Sequence, residues 1–365
     1  MSEARLMKGN EAIAEASIRA GCRGFFGYPI TPQSEILEYL SDEGRKRGMV
    51  VMQVESELAA INMVYGAAGT GARAMTSSSS PGISLMQEGL SYISCAELPC
   101  LVVNINRGGP GLGTIQPSQS DYFQATKGGG HGDYHLLVLA PASVQEMADF
   151  VFDGFDLADK YRNPVMILAD GALGQMMEKV VFREYAIEKH RVEKPWATTG
   201  KLLTRPRNIL TSLYIQPEKM EEVNRRLQAK YTLMNEEEVR YELVSTDDAD
   251  ILVVAYGLAA RISHRAVEMA REHGIKVGLM RPITLYPYPY HILHQLSKKV
   301  ASILVVELNA GQMVEDVRLG VEGAVPIKFY GRMGGIIPPP EEVYQEVIAL
   351  SRSVQSYRAK EAMYV

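Results

Sequence analysis

Residues 50–60 read V-V-M-Q-V-E-S-E-L-A-A. A β-branched run stops at two acids and an alanine-rich stretch follows at once. This predicts a strand over Val50–Val54 and a helix toward Gly69, capped by the Ser56 hydroxyl. Glu57 stands at the junction with apolar sequence on both sides, where an unpaired charge is costly to bury. Two readings are open for it. It is either a first-turn acid favoured by the helix dipole, worth about 0.3–1 kcal/mol when exposed, or a group that performs chemistry. Glu55 reads as the solvated member of the pair.

The same alternation extends in both directions. Asn10 is placed to cap a helix over Glu11–Ala20, before a strand at Phe25–Tyr28. Thr31-Pro32 reads as an N-cap with proline at N1, opening a helix toward Leu40. Further strands are expected at Arg73–Thr76, Leu101–Ile105, Leu136–Leu139 and Val165–Leu168, the last of this part. Helices are expected from Ser80-Pro81 to Ser94 and over Ser143–Asp159. Between Glu178 and Asp247 prolines, charges and the single Trp196 break the rhythm, and an acidic–basic helical run covers Pro217–Val244. From I-L-V-V-A-Y-G at Ile251 the alternation returns. The predicted class is α/β: two doubly wound, mostly parallel-sheet domains, 1–178 and 247–365, joined by a partly helical connector, 179–246.

The 365 residues are 46% hydrophobic and 22% charged, with formal net charge −5. That is an ordinary globular composition, with no basic surplus to suggest nucleic acid as a partner. No apolar run is long enough to span a bilayer, and the opening M-S-E-A-R-L-M-K-G-N lacks the core of a secretory signal; a cytoplasmic location is expected. Cys22, Cys95 and Cys100 form no C-x-x-C pair, so the chain is expected to carry no metal or iron–sulfur cluster of its own.

In open α/β sheets ligands gather at the carboxyl ends of the strands, and four such ends carry unusual sequence. The first is G-Y-P-I-T-P, residues 27–32, where Tyr28, Pro29 and Thr31 form a stiff loop; Thr31 is either a simple cap or a site hydroxyl. Glu57 is the second. The third, T-S-S-S-S-P-G at 76–82, sets Ser79 and Ser80 at a helix start, as a polar ligand wall or only a turn. The fourth is N-R-G-G-P-G-L-G at 106–113, opening a glycine-rich stretch that runs to K-G-G-G-H-G-D at 127–133. Arg107 suits a planar carboxylate through its fork of donors; a surface salt bridge is the alternative. His131 and Asp133 are either proton-transfer groups or ordinary loop residues. No G-x-x-x-x-G-K-[ST] occurs, and R-G-G-P-G-L-G lacks the context of a dinucleotide site, which disfavours a nicotinamide enzyme.

Taken together, Y-P-I-T-P, S-E-L-A-A, T-S-S-S-S-P-G-I-S-L and R-G-G-P-G-L-G resemble the alpha subunit of the thiamine-diphosphate-dependent 2-oxoacid:ferredoxin oxidoreductases, over nearly the whole chain. A-T-K-G-G-G-H-G-D-Y, L-A-P-A-S and D-K-Y-R-N-P-V look like the branched-chain (2-oxoisovalerate) class. The resemblance implies that domain 1–178 is a pyrimidine-binding module and that 247–365 is a transketolase C-terminal-like domain serving assembly. Glu57 would match the glutamate that hydrogen-bonds the aminopyrimidine ring and favours its imino form. Thr31 would contact the substrate near its 2-oxo group, and Arg107 would grip the substrate carboxylate. Tyr28, Pro29, Ser79 and Ser80 would line the cofactor, with Lys127 and His131 at the substrate side chain.

Thiamine enzymes hold Mg²⁺ and the diphosphate through G-D-G with a downstream Asn. The nearest string is Ala169-Asp170-Gly171-Ala172. The resemblance therefore assigns the diphosphate and Mg²⁺ to a beta subunit that also carries a 4Fe–4S cluster, beside gamma and ferredoxin-like delta subunits. The implied reaction is CoA-dependent oxidative decarboxylation of a 2-oxoacid, with electrons passing to ferredoxin. Three other readings stay open: the same chemistry on 2-oxoglutarate, which needs a second cation such as Lys127 or His131; a non-catalytic assembly subunit; and a stand-alone thiamine decarboxylase or transketolase-like enzyme, disfavoured by the missing diphosphate motif.

Overall fold

A computed structural model describes residues 4–190, 192–201 and 205–363, with side chains described as far as 356. The chain opens with β1 (Ala4–Lys8), α1 (Gly9–Arg19), β2 (Gly24–Gly27), α2 (Ser34–Tyr39), β3 (Val50–Gln53) and α3 (Glu57–Gly69). It continues through β4 (Ala74–Ser78), α4 (Pro81–Cys95), β5 (Cys100–Asn106), α5 (Tyr122–Thr126), β6 (Leu137–Leu139), α6 (Val144–Tyr161), β7 (Pro164–Asp170) and α7 (Gly171–Gln175). Then follow β8 (Met177–Val181), the long helix α8 (Pro217–Glu237) and β9 (Tyr241–Val244). The last part holds β10 (Ile251–Val254), α9 (Gly257–Glu272), β11 (Val277–Pro282), β12 (Thr284–Tyr286), α10 (Tyr290–Ser297), β13 (Ser302–Glu307), α11 (Met313–Val321), β14 (Ile327–Gly331) and α12 (Pro340–Met363).

Two mostly parallel sheets result, as expected. The first runs β12-β6-β7-β5-β4-β2-β3 and the second β14-β13-β10-β11-β9. Within each, every pairing is parallel except at one edge, where β12 and β9 run antiparallel to their neighbours. Central strands such as C-L-V-V-N-I-N are buried at every residue, which requires helices on both faces. The cores are correspondingly apolar: Ile13, Phe25, Leu101 and Phe155 on one side of the first sheet, Ile61, Ile83, Met86 and Val102 on the other.

The structure corrects several expectations. Asn10 does not cap α1, which starts at Gly9 with Lys8 at the N-cap; its amide instead donates to Pro32 O (2.8 Å) and Glu35 Oε2 (2.9 Å). Thr31-Pro32 does not open the next helix. The chain first turns, with Gln33 N donating to Ile30 O (3.0 Å), and α2 begins only at Ser34. β7 is not the last strand of its part, because β8 follows and pairs antiparallel with β1 in a separate two-stranded ribbon. The boundary at 247 is not a clean cut in the sheets either. β12 leaves the second part to edge the first sheet, while β9, expected in the connector, edges the second. Short edge strands find partners only through tertiary packing, which a local pattern does not encode.

Candidate functional site

In the first sheet β2 has β3 on one side and β4 on the other. The chain direction reverses there, so the crevice beyond the carboxyl ends of β2 and β4 is the expected ligand position. Gln33, from the loop after β2, bridges this crevice: Ser77 Oγ, near the end of β4, donates to Gln33 Oε1 at 2.6 Å, and Gln33 Nε2 donates to Tyr28 O at 3.4 Å.

Glu57 reaches the same place from β3. Ser56 is fully extended (φ −165°) and accepts from Ala59 N at 3.2 Å, so the predicted cap forms and Glu57 becomes the first residue of α3. Glu57 is 5% exposed, whereas Glu55 is exposed to solvent. Ser78 Oγ donates to Glu57 Oε1 at 3.2 Å. No hydrogen bond among the described residues reaches Oε2. The carboxyl thus has one oxygen oriented by Ser78 and the other without a protein hydrogen bond, free for a ligand to engage.

Gly82, in the first turn of α4, makes this approach possible. A Cβ there would lie 2.0 Å from Ser78 Oγ and 2.4 Å from Glu57 Oε1. Gly82→Ala is therefore expected to displace the Glu57 carboxyl without unfolding α4, since both obstructing atoms are side-chain ends. If the cofactor that the resemblance implies binds here, the thiamine diphosphate concentration for half-activation of the assembled protein is expected to rise about tenfold, which a titration of activity checks.

The wall after β4 is built around Ser80, whose backbone is strained (φ 22°, ψ −79°). Such strain persists only where the surroundings over-determine it. Ser80 N donates to Asn104 Oδ1 (3.2 Å), and Ser80 Oγ donates to Asp121 Oδ2 (2.6 Å) and accepts from Arg107 N (3.0 Å). Asn104 Nδ2 also donates to Asp121 Oδ2 at 2.8 Å. Burial pushes the Asp121 carboxyl up, and the Ser80 and Asn104 donors oppose that shift. Ser79 Oγ is fully buried and has no partner among the described residues.

Arg107 leaves β5 buried. Nη1 donates to Thr31 O at 2.9 Å and Nη2 to Leu112 O at 3.0 Å, so the guanidinium ties the Y-P-I-T-P loop to the glycine-rich turn. Nε has no partner. Of the five N–H donors of an arginine, three stay uncommitted among the described residues. Tyr28, Pro29 and Thr31 are exposed on the loop facing this cluster.

Lys127 and His131 lie on the loop after α5. Lys127 donates to Asp316 Oδ1 at 2.6 Å, a buried carboxylate of α11 that also accepts from Tyr122 OH. His131 is exposed on its loop. Asp170 is spent locally: its carboxyl caps α7 through Ala172 N (2.9 Å) and Leu173 N (3.1 Å), and burial raises it to about 6. Among the described residues, no group of three His, Cys, Asp or Glu side chains is placed to hold a metal. No described helix is long and apolar enough to cross a membrane. Asp121, Asn104 and Gln33 were not anticipated. The available signal was the pair Asn104 and Asn106 inside a strand otherwise apolar.

An orphaned serine hydroxyl, a buried carboxyl with one free oxygen and an arginine fork gather at one switch point of an α/β sheet. Family models identify the class. Residues 15–242 match the pyruvate flavodoxin/ferredoxin oxidoreductase, thiamine diphosphate-binding domain, and 249–343 match pyruvate:ferredoxin oxidoreductase core domain II. The chain is 48% identical over 343 residues to the ketoisovalerate oxidoreductase subunit VorB of Methanothermobacter marburgensis, covering 94% of this chain and 97% of that one. It is 37% identical to the 2-oxoglutarate synthase subunit KorA of Methanocaldococcus jannaschii, over 94% and 98% of the two chains. Among solved structures, 2-oxoglutarate:ferredoxin oxidoreductase from Magnetococcus marinus superposes with a TM-score of 0.85 at 27% identity, over 96% of this chain and 66% of that one. A split-gene transketolase shares the fold alone, with a TM-score of 0.59 at 12% identity over 95% and 96% of the chains. The chain belongs to the thiamine-diphosphate-dependent 2-oxoacid:ferredoxin oxidoreductase family, as one subunit of a multi-subunit enzyme.

Proposed function

We propose that this chain supplies the pyrimidine-activating and carboxylate-recognising half of the site in a CoA-dependent 2-oxoacid:ferredoxin oxidoreductase that prefers branched-chain acids such as 2-oxoisovalerate. The observation that carries the reading is the Glu57 carboxyl, buried at the start of α3, oriented by Ser78 and open at Oε2. Thiamine diphosphate supplies, when bound, the carbon that attacks the 2-oxo group. Glu57 holds a proton between Oε2 and the pyrimidine ring in a water-poor setting. Tyr28, Pro29, Ser79 and Ser80 shape the cofactor wall. Thr31 faces the 2-oxo group, and Arg107 orients the substrate carboxylate with its uncommitted donors. Asp170 is spent on α7, so the diphosphate and Mg²⁺ are assigned to a beta subunit. Cys22 and Cys100 are buried, with thiols pushed up to about 12. Such inert thiols suit packing, and the 4Fe–4S clusters that pass electrons to ferredoxin are assigned to the beta and delta subunits beside a gamma subunit.

The side-chain preference rests on Lys127. A 2-oxoglutarate enzyme needs a second cation for the distal carboxylate, and Lys127 is already paired with buried Asp316. The turn next to Arg107 instead exposes Leu112 and Ile115, which suits an apolar side chain. Each methylene buried in an apolar pocket favours its substrate by up to about 10–200-fold. Comparison of kcat/KM for 2-oxoisovalerate and 2-oxoglutarate in the purified complex is expected to favour the branched acid at least tenfold. Faster use of 2-oxoglutarate overturns the preference.

A further inference from the structure

The second sheet has its own switch point, between the carboxyl ends of β10 and β13, because the chain runs from β10 to β11 on one side and places β13 on the other. In an open α/β sheet that crevice is where a ligand is expected. Here it is filled by Gln119, from the segment joining the glycine-rich turn to α5. Gln119 is 3% exposed, and its polar atoms are matched to the two strand ends. Its backbone N donates to Leu308 O (3.0 Å), and its Oε1 accepts from Leu308 N (3.0 Å). Its Nε2 donates to Tyr256 O (2.9 Å), while its backbone O accepts from Tyr256 OH (3.2 Å) and Asn309 Nδ2 (2.8 Å). Leu308 follows β13 directly and Tyr256 stands two residues beyond β10.

The contacts continue on both sides of Gln119. Ser118 Oγ donates to Leu308 O (3.2 Å), Gln312 Nε2 donates to Ser120 O (2.8 Å), and Phe123 N donates to Gln312 Oε1 (2.8 Å). At the far end of the turn, Gly335 packs so closely that a Cβ would lie 2.3 Å from the Cβ of Gln116. Two residues past Gln119 is Asp121, whose carboxylate holds Ser80, and Ser80 in turn receives the Arg107 backbone N–H. The segment after Arg107 is thus tied to the second sheet at Gln119 and, two residues on, to the Arg107 backbone through Asp121 and Ser80.

We propose that Gln119 is a positioning residue for 2-oxoacid binding: by plugging the switch-point crevice of the second sheet it fixes the height of the Arg107 turn, so that this sheet sets substrate affinity from outside the site. The inference rests on the assignment of Arg107 to the substrate carboxylate. Removing the plug leaves Glu57 and Ser78 in place, because neither touches the segment, but lets the Arg107 turn relax.

The test uses the assembled complex with Gln119→Ala, Tyr256→Phe and Arg107→Lys in this chain. Tyr256→Phe removes one bond to Gln119 O and keeps the ring, so it decides the question if Gln119→Ala fails to assemble. The expected result is a rise in KM for the 2-oxoacid of about tenfold for Gln119→Ala and about threefold for Tyr256→Phe, with kcat and half-activation by thiamine diphosphate within about twofold. A merely structural role would lower active enzyme and kcat instead, at unchanged KM. That result overturns the proposal. An unchanged KM in both variants, while Arg107→Lys raises it, also overturns it and leaves the Arg107 assignment standing. If Arg107→Lys leaves KM unchanged, that assignment falls and the proposal falls with it.

Discussion

Glu57→Gln in the assembled complex is expected to lower 2-oxoacid oxidation by about 10²–10⁴-fold, the range that a positioned acid–base group contributes. Gln is nearly isosteric, and its Oε1 still accepts from Ser78 Oγ, the one hydrogen bond the carboxyl makes among the described residues. Nothing in the packing is lost. The α3 cap, made by Ser56 and Ala59 N, is untouched. What changes is Oε2, which becomes an amide nitrogen that cannot share a proton with a ring nitrogen. Cofactor binding and subunit assembly should therefore survive while turnover collapses. Steady-state assay of the reconstituted variant, with cofactor content measured alongside, checks this. Wild-type turnover would favour an assembly subunit that has kept the fold without the chemistry.

The second large effect is expected at Arg107. Two of its donors are already committed, holding Thr31 O and Leu112 O together, and the others are left for a carboxylate. A lysine carries no fork and reaches one carbonyl at most, so Arg107→Lys removes a charge-assisted contact and loosens both loops. Charged hydrogen bonds contribute about 1.5–3 kcal/mol each. The expected outcome is a fall in kcat/KM for the 2-oxoacid of about 10²-fold, mostly through KM. Initial rates over a range of 2-oxoacid concentrations give both parameters. An unchanged KM would remove Arg107 from the substrate contacts.

Much of the fold and part of the site were legible because their determinants are local. V-V-M-Q followed by S-E-L-A-A carries its strand, its cap and its helix within a few residues, and the structure reproduces each. The four unusual strand ends could be named because parallel sheets collect ligands at one edge. What failed was non-local. Lys127 looked available until α11 of the second part placed Asp316 against it. Asn10 had the right type for an N-cap, but its amide was needed to hold the turn at Pro32. Strand β12 is three residues long and takes its meaning only from β6, far away in sequence. Gln119 and Asp121 read as ordinary loop polar residues; their partners lie on β5 and just beyond β4, β10 and β13. Only the two asparagines in the buried strand β5 hinted at a polar network.

The central claim is that Glu57 activates a cofactor whose other end another subunit holds. Exchange of the C2 proton of bound thiamine diphosphate with deuterium, followed by NMR after acid quench of the assembled complex, reads that activation without any 2-oxoacid. The wild-type complex is expected to exchange at least 10²-fold faster than the Glu57→Gln complex at equal cofactor occupancy. Equal exchange rates in the two complexes would contradict it.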